Sequence, residues 1–227
     1  MGAGLLTDEN NNSNLNVLSL NMARYTEAKC KLCRREGTKL YLKGNKCLSS
    51  KCTVEKRPGG PGMHPAKGRM SGYGKQFREK QKVKRIYGVL EAQFRRFYSM
   101  AAKDKMQTGA KLLQLLERRL DNVMHRMGVT ESRNQARQMI NHGHVTVNGT
   151  KVSAPSFLVK VGDEIVFLKE TVAKDMVTEM QSNAKNIKVP QWIEVSEFGH
   201  AKITKLPDRS MIDQNVSEQL IVEYYSR

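Results

Sequence analysis

The chain has 227 residues, with 39 Lys and Arg against 22 Asp and Glu, a net charge of +17. That length suits two modest domains, and a hydrophobic content of 39% is low for one large core. No apolar run approaches the roughly 20 residues that a membrane span needs, and the first 22 residues carry no Lys or Arg, where a secretory or transit signal needs basic groups.

Residues 1–21 are Asn-rich and of low complexity. They read as a disordered extension, or as an upstream start with Met22 as the natural first residue, and the expected compartment is the cytosol. Residues 23–105 then carry 23 basic and 6 acidic groups, net +17, so one segment holds the equivalent of the whole excess. A field that concentrated predicts a polyanionic partner. Nucleic acid fits better than a membrane, which needs a basic helix with a large apolar face; the apolar positions here are needed for a core.

Four cysteines fall within this segment, spaced Cys30-x2-Cys33-x13-Cys47-x4-Cys52. Two pairs separated by a short loop match a four-thiolate tetrahedral site. Flanking Lys29, Lys31, Arg34, Arg35, Lys46 and Lys51 favour the thiolates, and a reducing compartment argues against two disulfides. Zinc is the first choice and the role is structural, because four protein ligands leave no open position. An iron–sulfur cluster uses the same ligands, and spacing does not separate the two.

Arg57-Pro-Gly-Gly-Pro-Gly-Met-His-Pro65 breaks regular structure, and Lys67 to Lys75 continues Gly-rich and basic. Helical periodicity begins near Phe77, with Val83, Ile86, Tyr87, Leu90, Phe94, Phe97 and Tyr98 on a buried stripe. A turn at Thr108-Gly109 precedes a second helix whose apolar face is Leu112, Leu116, Leu120, Val123 and Met127, closed by Gly128. Thr130 or Ser132 caps a short third helix, with Ala136 and Ile140 inward and Gly143 as its left-handed stop. Val145 and Val147 alternate into Asn148-Gly149, a strong type I′ hairpin signal, and Val152 begins the return strand. Val159 and Val161 lead to a second strand pair at Ile165 and Phe167. Residues 171–182 read as a helix with Val172, Met176 and Met180 inward, and the remainder from Pro190 as short strands and turns.

The third helix points to function. Arg133 and Arg137 share one face, Gln135, Gln138 and Asn141 lie on the polar side, and His142 and His144 flank the turn. The start at Ser132 offers backbone N–H groups for a phosphate, and Lys151 joins this edge from the hairpin. Replacing both Arg133 and Arg137 with alanine is therefore predicted to weaken nucleic-acid binding and its salt dependence. No GxxxxGK[ST], GxSxG or GxGxxG pattern is present, and His142 and His144 lack nearby carboxylates, so an enzyme is not expected.

Ser132-Arg-x-x-Ala-Arg-x-x-Ile-x-x-Gly-x-Val-x-Val-Asn-Gly149, with Val161-Gly-Asp-x-Ile165, resembles the alpha-L RNA-binding fold. Met22-Ala-Arg-Tyr, the cysteines, the Gly-rich loop, Glu91-x-Gln-Phe-Arg-Arg-Phe97, Leu116-Glu-Arg-Arg-Leu-Asp121 and Gln219-Leu-Ile-Val-Glu-Tyr-Tyr225 narrow the likeness. Over residues 22–227 the chain resembles the bacterial small-subunit ribosomal protein number four family, in its cysteine-bearing, zinc-type subset. The resemblance implies an α+β protein: a mostly helical first domain with a four-cysteine metal knuckle, and an alpha-L domain of helices on a small antiparallel sheet. The expected divisions are 1–21, 22–105, 106–170, and an extension over 171–227 packing back on the body. It further implies a primary binder of the 5′ domain of 16S rRNA that nucleates subunit assembly. The other implied partners are ribosomal protein number five, with which it affects decoding accuracy, further small-subunit proteins, and mRNA near the channel through which it enters. The candidate RNA contacts are Lys67, Arg69, Lys75, Arg78, Lys82, Lys84, Arg85, Lys111 and Arg119 in the helical part, and Ser132, Arg133, Gln135, Arg137, Gln138, Asn141, His142, His144 and Lys151 in the alpha-L part. A stand-alone alpha-L quality-control factor is the runner-up; such modules are short and usually lack the cysteine segment.

Overall fold

The computed structural model describes residues 25–62, 70–104, 107–184, 188–212 and 215–226. The Asn-rich extension, Met22, Lys67 and Arg69 lie outside the described residues.

The cysteine segment folds as three short helices, α1 (Lys29–Glu36), α2 (Asn45–Leu48) and α3 (Thr53–Lys56). Ser71 then caps α4 (Gly72–Ile86), its hydroxyl accepting the Gly74 N–H at 3.1 Å. The stripe expected from Phe77 onward is split between two helices. Gly88, at φ +62°, turns the chain, and α5 (Glu91–Ala101) restarts in a new direction. α6 (Thr108–Glu117) completes the first core with Leu112, Leu113 and Leu116 at 0% exposure, against Val83, Tyr87, Phe94 and Phe97. Burying each such side chain contributes about 1.5–3 kcal/mol.

The second expected helix also divides. Arg118 and Arg119 leave the helix where their backbone pairs with the extended segment 157–159 through an isolated antiparallel bridge: Leu120 N–H donates to Phe157 O at 2.8 Å and Val159 N–H to Arg118 O at 3.0 Å. α7 (Leu120–Arg126) and α8 (Arg133–Asn141) follow, in a separate core with Val123, Met124, Ala136 and Ile140. The two cores therefore divide after α6, about one helix later than the expected boundary at residue 106.

β1 (Val145–Val147) and β2 (Thr150–Lys151) form the hairpin. Asn148 and Gly149 have φ of 51° and 77°, the two positive values of a type I′ turn. β3 (Glu164–Phe167) pairs with β1, placing Val147 opposite Ile165. The C-terminal region extends this sheet: β4 (Ile193–Glu197) and β5 (His200–Ile203) give an antiparallel order β2-β1-β3-β5-β4. Trp192, at 0% exposure, anchors that extension in the second core. α9 (Lys174–Ala184) buries Met180 but leaves Met176 42% exposed, against the expected inward position. The last helix, α10 (Glu218–Tyr225), returns to the first core and packs on α4 and α6 through Ile221.

Candidate nucleic-acid interface

The motif around α8 folds as its residues dictate. The Ser132 hydroxyl accepts the Gln135 N–H at 3.3 Å, and the Gln135 side chain accepts the Glu131 N–H at 2.9 Å. This near-reciprocal cap occupies donors at the helix start, so Ser132 and Gln135 hold the helix end together.

The two arginines of α8 point into the molecule. Asp121 receives Arg119 through two bonds at 3.0 and 2.7 Å, and Arg137 at 2.9 Å. Arg137 also donates to Gly88 O at 3.1 Å, bridging to the turn before α5. Arg133 donates to Asn122 Oδ1 at 2.7 Å, and its guanidinium lies 5.2 Å from the centre of the Tyr87 ring. Glu117 closes the network: it accepts from Tyr87 at 2.7 Å, from Asn122 at 2.6 Å, and from Arg126 at 3.1 and 2.7 Å. Burial pushes the Glu117 carboxyl pKa up, but the charges of Arg126 and Arg133 and the bonds from Arg126 and Tyr87 bring it below the usual value. Arg119 is 1% exposed; the sequence places it at the RNA surface, and the structure makes it an internal ion pair against Phe97. The reason is the carboxylate at Asp121, which helical spacing alone does not place.

The other expected cations of the first domain are largely compensated. Arg85 pairs with Glu36, and Arg78 lies 3.7 Å from the same carboxylate. Lys82 pairs with Glu79 at 3.3 Å and Lys84 with Glu91 at 2.9 Å. Lys111 donates to Gln114 at 2.9 Å, and Lys75 is exposed on α4. Around α8 and the hairpin, Gln138, Asn141, His142 and Lys151 are exposed. The ring of His142 lies 6.0 Å from that of His144, which bonds the Thr171 hydroxyl at 2.6 Å. Lys151 lies over Gly143, so these groups form one open edge where α8 meets the hairpin.

A larger free surface lies on the cysteine segment. Lys31, Arg35, Lys43, Lys46, Lys51, Lys56 and Arg57 are exposed, and none has an ion pair among the described residues. Both acids within 29–57 are taken, Glu36 by α4 arginines and Glu55 by Lys39 at 2.6 Å. The charge count assigns the attraction to residues 23–105 as a whole; the sequence offers Lys31, Arg35, Lys46 and Lys51 only as neighbours of the thiolates and does not single out Lys43, Lys56 or Arg57. The segment is seated on the second domain: Asn45 donates to Glu131 and to Asn183, each at 3.0 Å.

Among the described residues, no three His, Cys, Asp or Glu side chains gather where they could hold an ion. All four cysteines are free thiols, and three are buried. Burial pushes the Cys33 thiol pKa up, opposed by a backbone bond from Leu40, and the other three thiols are near enough to raise it further. The Lys43 N–H donates to Cys47 Sγ at 3.3 Å. Four cysteines are the ligand type a structural zinc takes, but among the described residues their side chains do not form a group that could hold one.

Beside Glu117, His125 Nδ1 bonds Thr130 O at 3.0 Å. Burial, then the charge of Arg133, lowers its pKa from 6.5 to about 4; the Thr130 bond raises it, Arg126 lowers it and Glu117 raises it. A lowered histidine pKa means that the unfolded chain binds more protons between those values. Stability is therefore full above pH 6.5 and falls as pH drops towards 4, by about 3 kcal/mol in total. Urea unfolding at about pH 7 and about pH 4.5 checks this: His125→Gln flattens the difference, and an equal difference in variant and wild type contradicts it.

Two family models cover this architecture. One described as "Ribosomal protein S4/S9 N-terminal domain" matches residues 24–117, and one described as "S4 domain" matches 118–165. Their junction coincides with the division between the two cores. The chain is 50% identical over 208 residues to small ribosomal subunit protein uS4A of Alkaliphilus metalliredigens, covering 91% of this chain and 100% of that protein. It is 49% identical over 208 residues to uS4 of Pelotomaculum thermopropionicum and 51% identical over 210 to uS4 of Dictyoglomus thermophilum, with the same shares covered. The chain belongs to the small ribosomal subunit protein uS4 family. That family is one of structural ribosomal proteins and not of enzymes. No helix among the described residues is long and apolar enough to cross a membrane.

Proposed function

We propose that this chain is a structural constituent of the small ribosomal subunit in the cytoplasm, a primary rRNA binder that recognises the 5′ domain of 16S rRNA and nucleates assembly. The observation that carries this reading is the uncompensated cationic face of the cysteine segment, held on an S4 domain whose own open edge is Gln138, Asn141, His142 and Lys151. Structured RNA is recognised mainly through backbone and shape, which such a face matches without base-reading side chains. Of the expected contacts, Lys75, Gln138, Asn141, His142 and Lys151 remain proposed phosphate or sugar contacts. Arg133 and Arg137 orient the module from within. Contact with ribosomal protein number five, with other small-subunit proteins and with mRNA near its channel belongs to the same reading, as does an effect on decoding accuracy. Sedimentation tests it: the protein travels with small subunits at about one copy each. Recovery mainly free or on large subunits would refute the assignment and favour a stand-alone alpha-L factor.

A structural zinc ion on Cys30, Cys33, Cys47 and Cys52 is part of the proposal, with an iron–sulfur cluster as the alternative on the same thiols. Support comes from the donor set, three buried free thiols and one half-buried, with backbone N–H groups directed at Cys47 and Cys33. The ion would supply folding energy to a segment with little core of its own, on the scale of about 10–16 kcal/mol seen for zinc-finger peptides. Chelation is expected to increase amide exchange across residues 30–52 and leave the 130–168 region protected. Purified protein holding neither zinc nor iron, with all thiols reactive, ends this part of the proposal.

A further inference from the structure

A cleft of about 200 Å³ opens between the cysteine segment, the end of α4 and the start of α8. Buried Ile86 and Val89, with Leu42, give it an apolar floor, while Lys29 and Arg137 stand beside it, and no carboxylate among the described residues lines it. Tyr41 is at its edge, 51% exposed. The backbone at Tyr41 has φ 51°, a value shared among non-glycine residues only by Asn148 within the described chain. Asn148 sits in a turn that favours Asn there. A bulky residue adopts this conformation only where its surroundings impose it, and such positions cluster at functional sites. Here Leu40 is buried at 3% exposure and tied to the Cys33 thiol, so the chain is pinned and the next side chain is directed outward.

We propose that this cleft receives one unpaired base of the rRNA, stacked on Tyr41, with a flanking phosphate on Lys29 or Arg137. The inference rests on the rRNA-binding reading and names a contact within it. An apolar floor, the exposed Tyr41 ring, and a rim of Arg137 and of Lys29, whose ammonium lies 4.9 Å from the centre of the half-buried Tyr25 ring, match the shape and charge of a nucleotide. The volume falls below the range of roughly 300–1,000 Å³ common for small-molecule sites, which suits a single base. Unpaired bases stacked on aromatic side chains are a general mode of RNA recognition. Arg137 is held from behind by Asp121 and Gly88 O, so its geometry is set before RNA arrives and little ordering is lost on binding.

Tyr41→Gly separates this role from folding, because glycine accepts φ 51° without strain. The full-length variant is expected to unfold at the wild-type temperature or above it, yet to bind full-length small-subunit rRNA roughly tenfold more weakly. Tyr41→Phe keeps the ring and is expected to bind within about twofold of wild type. Base-reactivity mapping of the wild-type complex should show one unpaired base protected, regaining reactivity with Tyr41→Gly alone. Wild-type affinity in Tyr41→Gly, or identical reactivity patterns, overturns the proposal and leaves rRNA binding intact. Failure of the wild-type chain to bind rRNA overturns both.

Discussion

Glu117→Ala is expected to destabilise the folded chain by about 3–5 kcal/mol, the cost of leaving buried charge without its partner. Glu117 is 1% exposed and accepts from Tyr87 of the first core and from Asn122 and Arg126 of the second. Its loss removes both of its bonds to Arg126 and takes from Arg133 the stronger of two nearby carboxylate charges, the other being Asp121. It sits at the end of α6, where the two cores meet, so the variant should loosen the domain junction as well as lower the overall stability. Because its folded pKa is lowered, Glu117 contributes stability above pH 4.5 that is lost as pH falls through the folded value. Urea denaturation at about pH 7 gives the size of the effect. A change below about 1 kcal/mol, the scale of an exposed pair, would show that the network is loose and solvated.

The second large effect is on RNA. Replacing Arg35, Lys43, Lys46 and Lys51 together with alanine is expected to weaken binding to small-subunit rRNA by on the order of a hundredfold to a thousandfold near physiological salt. All four are exposed and without ion pairs among the described residues, so each change should move stability by no more than about 0.5 kcal/mol. The thermal transition and the affinity are measured on the same preparation. Unchanged affinity would move the RNA contact elsewhere on the molecule.

How much of this the sequence discloses depends on the range of the interaction involved. The α8 cap at Ser132, its stop at Gly143 and the Asn148-Gly149 hairpin are visible because their causes lie within a few residues. The breaks at Gly88 and at Arg118–Arg119 are not, because apolar spacing continues across both. The second break depends on pairing with Phe157 and Val159, some forty positions away. The same holds for the site. Periodicity correctly puts Arg133 and Arg137 on one helix face, but which way that face looks is decided by Asp121 and Asn122 on α7. Spacing alone does not show that Asp121 and Asn122 receive these two guanidinium groups. Charge counting fares better because it needs no geometry. It locates the excess in residues 23–105, and the structure leaves that excess least compensated on the cysteine segment. The strands from Ile193 to Ile203 read only as short extended pieces, since their place in the sheet is set by pairing with β3.

In the proposed division of labour the cysteine segment attracts the phosphates and Arg133, bonded to Asn122, orients the module. The most direct measurement is the slope of log affinity against log salt for wild type, for the four-site variant and for Arg133→Ala, on the same rRNA. The four-site variant is expected to lose about 3 to 4 from the magnitude of the slope, at about 0.7 to 0.9 per phosphate contact, while Arg133→Ala keeps the wild-type slope and loses stability. A full slope in the four-site variant, with a reduced one in Arg133→Ala, would contradict this division.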